Sequence, residues 1–212
     1  LNNGYFAGKV GIGTNSPDGL LHVSSGTSGD ALVIIESDTD NNDENDNPQL
    51  QFKQDGGNTI AKIGLSGDAG TIFTNSLANT AYFGNDEAAS VQLYTNATAR
   101  LTVESGGDVG IGTDSPDRLL ELSKSVTGGQ GATLRLTNIV GGAGAGVAIE
   151  FNGPGSQGIH SKIKTEDLGA FDSNLIFQTK ATASAGALAD RLTIDNVGAI
   201  QFNDYGAGTL VT

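Results

Sequence analysis

An all-β fold built by stacking rather than around one large core is what this chain predicts, and three observations carry that prediction. A fourteen-residue phrase occurs twice, Val10-Gly-Ile-Gly-Thr-Asn-Ser-Pro17-Asp-Gly-Leu-Leu-His-Val23 and Val109-Gly-Ile-Gly-Thr-Asp-Ser-Pro116-Asp-Arg-Leu-Leu-Glu-Leu122, 99 residues apart and identical at ten positions. Short alternating or β-branched runs recur between clusters of Gly, Asn and Asp along the whole chain. Glycine numbers 32 in 212 residues while aromatics are only 6%, so one chain holds little bulk with which to fill a private core, and burial between chains is the expected remedy. Collagen is excluded, because the glycines lack its three-residue period.

The elements follow in order. Val10-Gly-Ile-Gly reads as a strand with both branched side chains on one face and bare glycines on the other, a face open to very close backbone approach. Thr14 to Asp18 reads as a hard corner, since Pro17 fixes its own φ and pushes Ser16 toward extended geometry; Pro116 holds the same place in the second copy. Leu20 to Val23 reads as the next strand, with Leu21 and Val23 sharing a face taken by Leu120 and Leu122 in the sister copy. Further strand-like runs are Ala31–Ile35, Gln49–Lys53, Thr59–Ile63, Ser90–Tyr94 and Leu175–Thr179, with turns expected at Asp55–Asn58, Ser66–Gly70 and Gly153–Gly155. Ala181–Arg191 is the main helix candidate, but Gly186 interrupts it and a loop before a strand at Arg191 fits equally well. Gly141–Gly146 reads either as a flexible connector or as a tightly packed strand.

Similarity continues beyond the phrase. Leu50-Gln-Phe52 matches Ile149-Glu-Phe151, and Lys62-Ile63 matches Lys162-Ile163. Arg100-Leu-Thr-Val103 runs into Gly107–Ile111 as Arg191-Leu-Thr-Ile194 runs into Asn196–Ile200. The expected organisation is the end of a preceding unit at 1–8, unit 1 at 9–105, unit 2 at 106–194 and the start of a third unit at 195–212. With no methionine at position 1, Leu1 is not expected to be the translation start.

Charge and composition narrow the partners. The net charge of −13 repels phosphate backbones and anionic lipid, so nucleic acid is not expected. No apolar run is long enough for a membrane span, so membrane insertion is not expected either. The acidic run Asp38–Asn47 reads as a solvated loop; Asp38, Asp40 and Asp43 are weak candidates for a calcium site, because the run lacks the glycine and bidentate glutamate of an EF-hand loop. His22 and His160 read as structural, a lone imidazole having no partner geometry for ligation or base catalysis. Glu150, Glu166, Asp167 and Asp172 form a carboxylate cluster that a solvated face explains and a glycosidase would also need. Gly11-x-Gly13 lacks the third glycine of a dinucleotide fingerprint, and Asn96-Ala-Thr98 is a formal glycosylation acceptor best read as chance. No cofactor and no catalytic residue is expected.

The phrase Val-Gly-Ile-Gly-Thr-x-Ser-Pro, preceded by Arg-Leu-Thr-Ile/Val and a glycine-bearing turn, resembles the shaft segments of bacteriophage tail fibres and related trimeric virion fibres, many of which carry an endosialidase-type self-cleaving chaperone downstream. Nothing after Arg191 resembles that chaperone. The resemblance implies an elongated, intertwined homotrimer with shaft collars alternating with small β-rich knobs, located extracellularly on the virion. Its partners would be two identical chains, the rest of the fibre or tail, and host surface glycans. Val10, Ile12, Val109 and Ile111 are expected to fill the trimer axis, with the glycines between them letting chains pack closely. The expected function is structural: a fibre segment extending a receptor-binding tip toward the host. The competing readings are a tailspike depolymerase with carboxylates meeting across chains, and the shaft of a bacterial adhesin.

Overall fold

The computed structural model describes residues 6–39, 45–55, 58–153, 159–169, 172–180 and 187–203. It is all-β: fourteen strands and no helix among the described residues. The chain divides into two compact units, Leu1–Lys124 and Ser125–Thr212.

Unit 1 carries three sheets. β1 (Val10–Ile12) and β2 (Leu21–Val23) pair in parallel, with Val10 opposite Leu21 and Ile12 opposite Val23. β3 (Gln49–Gln54), β4 (Asn58–Leu65) and β5 (Ala81–Asn85) form an antiparallel meander. Between β4 and β5 a loop is tied down by Ser66, whose buried hydroxyl donates to the Leu77 carbonyl at 2.6 Å and accepts from the Thr80 N–H at 3.2 Å. β6 (Val91–Thr95), β7 (Thr98–Val103), β8 (Val109–Ile111) and β9 (Leu120–Leu122) complete the unit, the last pair again parallel. Asn96 and Ala97, both at positive φ, form the two-residue β6–β7 turn, a primed hairpin geometry suited to strand twist. Asn96 suits the first of these two positions, since asparagine tolerates positive φ.

Unit 2 is one five-stranded antiparallel sheet: β10 (Ala148–Asn152), β11 (Ile159–Gly169), β12 (Asp172–Lys180), β13 (Leu188–Ile194) and β14 (Ile200–Phe202). Its pairings repeat those of unit 1 at equivalent positions. Leu50 faces Ile63 as Ile149 faces Ile163, and both ladders carry a bulge after the phenylalanine, Phe52/Lys53 and Phe151/Asn152. Leu93 faces Leu101 as Phe177 faces Leu192, again with a bulge immediately after. The sequence offset shrinks from 99 at Val10/Val109 to 91 at Arg100/Arg191, and the topology gives the reason. In unit 1 β5 pairs with β4 and a separate strand, β6, pairs with β7; in unit 2 the single strand β12 does both, pairing with β11 on one edge and β13 on the other.

The turns closing the two sheets are also alike. Gly107 N–H donates to Glu104 C=O at 2.9 Å and Gly198 N–H to Asp195 C=O at 3.0 Å, with both glycines at positive φ as the bulge residue of a three-residue hairpin. Thr102 and Thr193, equivalent in the Arg-Leu-Thr segments, are both buried, and each hydroxyl accepts a side-chain amide, from Gln92 at 3.2 Å and Asn203 at 3.1 Å. The helix candidate at 181–191 resolves toward strand at its end, since β13 spans Leu188–Ile194, while 181–186 lie outside the described residues. The turns expected at Asp55–Asn58 and Gly153–Gly155 also fall largely outside them.

Two expectations need correction. Ala31–Ile35 runs without turn or bend as a strand would, yet it pairs with no strand among the described residues. Gly141–Gly146 is neither a free connector nor a strand. Gly142 N–H and Gly169 N–H both donate to the Asp167 carboxylate, at 2.9 and 2.7 Å, and Gly144 N–H donates to the Asp167 carbonyl at 2.8 Å. The run is a loop wrapped on one aspartate.

Candidate self-association surface

Among the described residues the only buried large apolar side chain is Ile176, whereas Leu, Ile, Val and Phe are exposed throughout both units. The surface that results begins with the phrase. In each copy an eight-residue connection, 13–20 and 112–119, joins two parallel strands, shorter than the dozen or more residues such a crossover ordinarily takes. Glycine makes this possible. A Cβ on Gly11 would collide with the Thr14 carbonyl oxygen, and one on Gly110 would lie 2.6 Å from that of Thr113, because the corner folds directly over the strand. Gly13 and Gly112 hold φ of +77° and +80°, and a Cβ on either would strike the Ser24 or Ser123 carbonyl oxygen. The close backbone approach expected of the glycine face is therefore made by the chain's own corner, which already occupies the space beside Gly11 and Gly110.

The corner has the same internal bonds twice. Ser16 N–H donates to Thr14 Oγ1 at 3.1 Å and Ser115 N–H to Thr113 Oγ1 at 3.3 Å, a side-chain-closed turn that sets up the proline. Pro116 is buried against Gly110, and Pro17 is half-buried. His22 and Glu121 serve as equivalent acceptors. Asp18 N–H donates to His22 Nδ1 at 3.3 Å, and Asp117 N–H to Glu121 Oε2 at 2.9 Å. Both residue types offer a lone pair at that place, which explains how imidazole and carboxylate interchange between the copies.

Once the corner is folded, what faces outward is apolar. Val10, Ile12, Leu21 and Val23 lie opposite one another across one parallel ladder, as do Val109, Ile111, Leu120 and Leu122 across the other. Ile12 is 55% exposed, Leu21 64%, Ile111 44% and Leu120 58%. The neighbouring Leu20 and Leu119, 80% and 78% exposed, widen each patch.

The other candidate residues are engaged locally. Glu150 pairs with Lys162 at 3.0 Å and Glu166 with Lys164 at 2.8 Å. Glu150 stands opposite Lys162 on β11, four positions from Glu166, so the backbones of the two glutamates are roughly 14 Å apart along and across the sheet. His160 Nδ1 accepts the Gly153 N–H at 2.7 Å at the end of β10. Asp172 pairs with Gly169 at the β11–β12 hairpin. Asp38 is at positive φ where the acidic loop begins, and Asp40 and Asp43 lie outside the described residues. Among the described residues no cluster of three or more His, Asp or Glu could hold a metal ion.

The two N–H donors on Asp167, that of Gly142 first and then that of Gly169, hold its pKa below the ordinary 3.8, against a smaller opposing effect of desolvation. A depressed carboxylate contributes its stabilisation fully above pH 3.8 and loses it as pH falls through the lower folded value. Acid titration followed by amide resonances should therefore move Gly142 and Gly169 together with a midpoint below 3.8, and a midpoint at or above 3.8 would contradict the anchoring role of Asp167.

No protein-family model and no curated protein matches this sequence.

Proposed function

We propose that the chain is a structural segment of a bacteriophage tail or virion fibre, assembled as a homotrimer, that extends a receptor-binding tip toward the host cell. The observation that carries this reading is surface. The chain exposes 16054 Å². A compact monomer of this 21.5 kDa mass exposes about 9,000 Å², and two separately folded pieces of the same total mass about 11,000 Å². The excess of roughly 5,000 Å² or more belongs to the range of obligate assemblies, well above the about 800 Å² per partner of a standard interface. Ile12, Leu21, Ile111 and Leu120 are among the side chains such an assembly would cover. The phrase in which they occur is the one that resembles fibre shafts.

Antibody raised against the purified chain is expected to decorate filamentous projections on virions and to slow adsorption to host cells. Decoration of cell-surface fibres in uninfected bacteria would instead assign the chain to an adhesin. Release of oligosaccharide from host capsule or lipopolysaccharide by the purified chain would make it a depolymerase.

A further inference from the structure

Three residues with complementary chemistry meet where β10 ends. Asn152 is the last residue of β10, Gly153 follows it, and His160 is the second residue of β11. The imidazole lies directly against the glycine, where a Cβ would press on the ring at 3.0 Å from Nδ1 and 3.1 Å from Cε1. His160 Nδ1 accepts the Gly153 N–H at 2.7 Å and stands 3.2 Å from Asn152 Oδ1. Accepting that N–H requires a lone pair on Nδ1, which puts the ring hydrogen on Nε2 and leaves none between Nδ1 and Oδ1. One basic nitrogen therefore faces both the main-chain nitrogen of Gly153 and the side-chain carbonyl of the residue before it, each within the reach of a general base. Asn152 is exposed, so water reaches it. The equivalent ladder of unit 1 has Lys53, Gln54 and Ile60 at these three places, so the pairing and its bulge form without the trio.

We propose that Asn152-Gly153 is a self-modifying site at which His160 acts as general base, converting the asparagine through a cyclic imide to aspartate and isoaspartate. His160 Nδ1 takes the Gly153 N–H proton as that nitrogen attacks Asn152 Cγ, and the new N–Cγ bond closes the ring. Negative charge develops on Oδ1, to which the newly formed Nδ1–H donates across the 3.2 Å contact. The proton passes to the side-chain nitrogen, which leaves as ammonia when the Cγ–Nδ2 bond breaks. Water then opens the imide. Attack at Cγ restores the main chain with an aspartate, and attack at the main-chain carbonyl reroutes the chain through the side chain as isoaspartate. One water is consumed and one ammonia released, with no oxidant or further reactant, and the end of β10 gains a negative charge.

Peptide mass spectrometry over a time course tests this, with one preparation of the full chain divided between native buffer and urea at the same pH and with fragmentation that separates aspartate from isoaspartate. Asn152 is expected to lose its amide at least about 10-fold faster in native buffer, which is the low end of a general-base contribution less the cost of turning Asn152 toward Gly153 within the hairpin. His160→Ala in native buffer should bring the rate down to that of the urea sample. A native rate equal to or below the urea rate would overturn the proposal, as would wild-type conversion in His160→Ala. The comparison with urea needs no variant, so it decides the matter even where His160→Ala fails to fold.

Discussion

Replacing Ile12 and Ile111 together with aspartate is expected to release 21.5 kDa monomers from the assembly, read by sedimentation velocity. The two side chains occupy equivalent positions in the parallel ladders, and each leaves about half of its surface open in the isolated chain. Covering that remainder contributes roughly 0.8–1.5 kcal/mol per isoleucine, half of a full burial, and in the proposed trimer the substitution removes it at two sites on each of three chains. The larger effect is the new charge, since an unpaired carboxylate forced into a dry interface costs several kcal/mol more and would face two like charges. Ile12→Val with Ile111→Val should leave the assembly intact. A double aspartate variant that still sediments as a trimer would remove these residues from the interface.

The second large effect concerns Gly13 and Gly112. Alanine at either is expected to destabilise the chain by about 2–3 kcal/mol, because the left-handed backbone penalises any Cβ and the added atom meets a carbonyl oxygen that the parallel pairing holds in place. Ser24 and Ser123 cannot retreat easily, since their N–H groups donate to the Ile12 and Ile111 carbonyls at 2.9 and 2.8 Å. In thermal unfolding this is a fall of about 5–10 °C per site at this chain length. Gly106→Ala is the control: it has open space around it, no positive φ, and an expected change within about 0.5 kcal/mol. Equal stability of Gly112→Ala and Gly106→Ala would refute the fold-over of the corner as the reason for glycine there.

These two sites also mark how far the sequence alone leads. Period-two alternation exposes β3, β4 and β6, and the strands of the phrase are legible from branched residues between glycines. β5 escapes because Ala81-Tyr-Phe-Gly-Asn85 has no clean alternation and carries the turn-type residues Gly84 and Asn85 inside the strand itself. The parallel pairing of β1 with β2 is hidden, since an eight-residue connection ordinarily signals a hairpin and only the collision geometry at Gly11 and Gly13 reveals the fold-over. Glycine in the phrase does mean close backbone approach, but the approaching backbone is the chain's own. The tethering of Gly141–Gly146 by Asp167 spans more than twenty residues of sequence and leaves no local pattern. His22 and Glu121 look in sequence like interchangeable solvent-facing polar residues; their shared acceptor role depends on an N–H four residues upstream, a relation visible only when both copies are folded.

The scarcity of buried apolar side chains is legible from composition alone, and the trimeric reading rests on it. Sedimentation equilibrium of the purified chain at micromolar concentration tests it most directly. A single species of three times the 21.5 kDa chain mass is the predicted result. A stable 21.5 kDa species that unfolds cooperatively would contradict it.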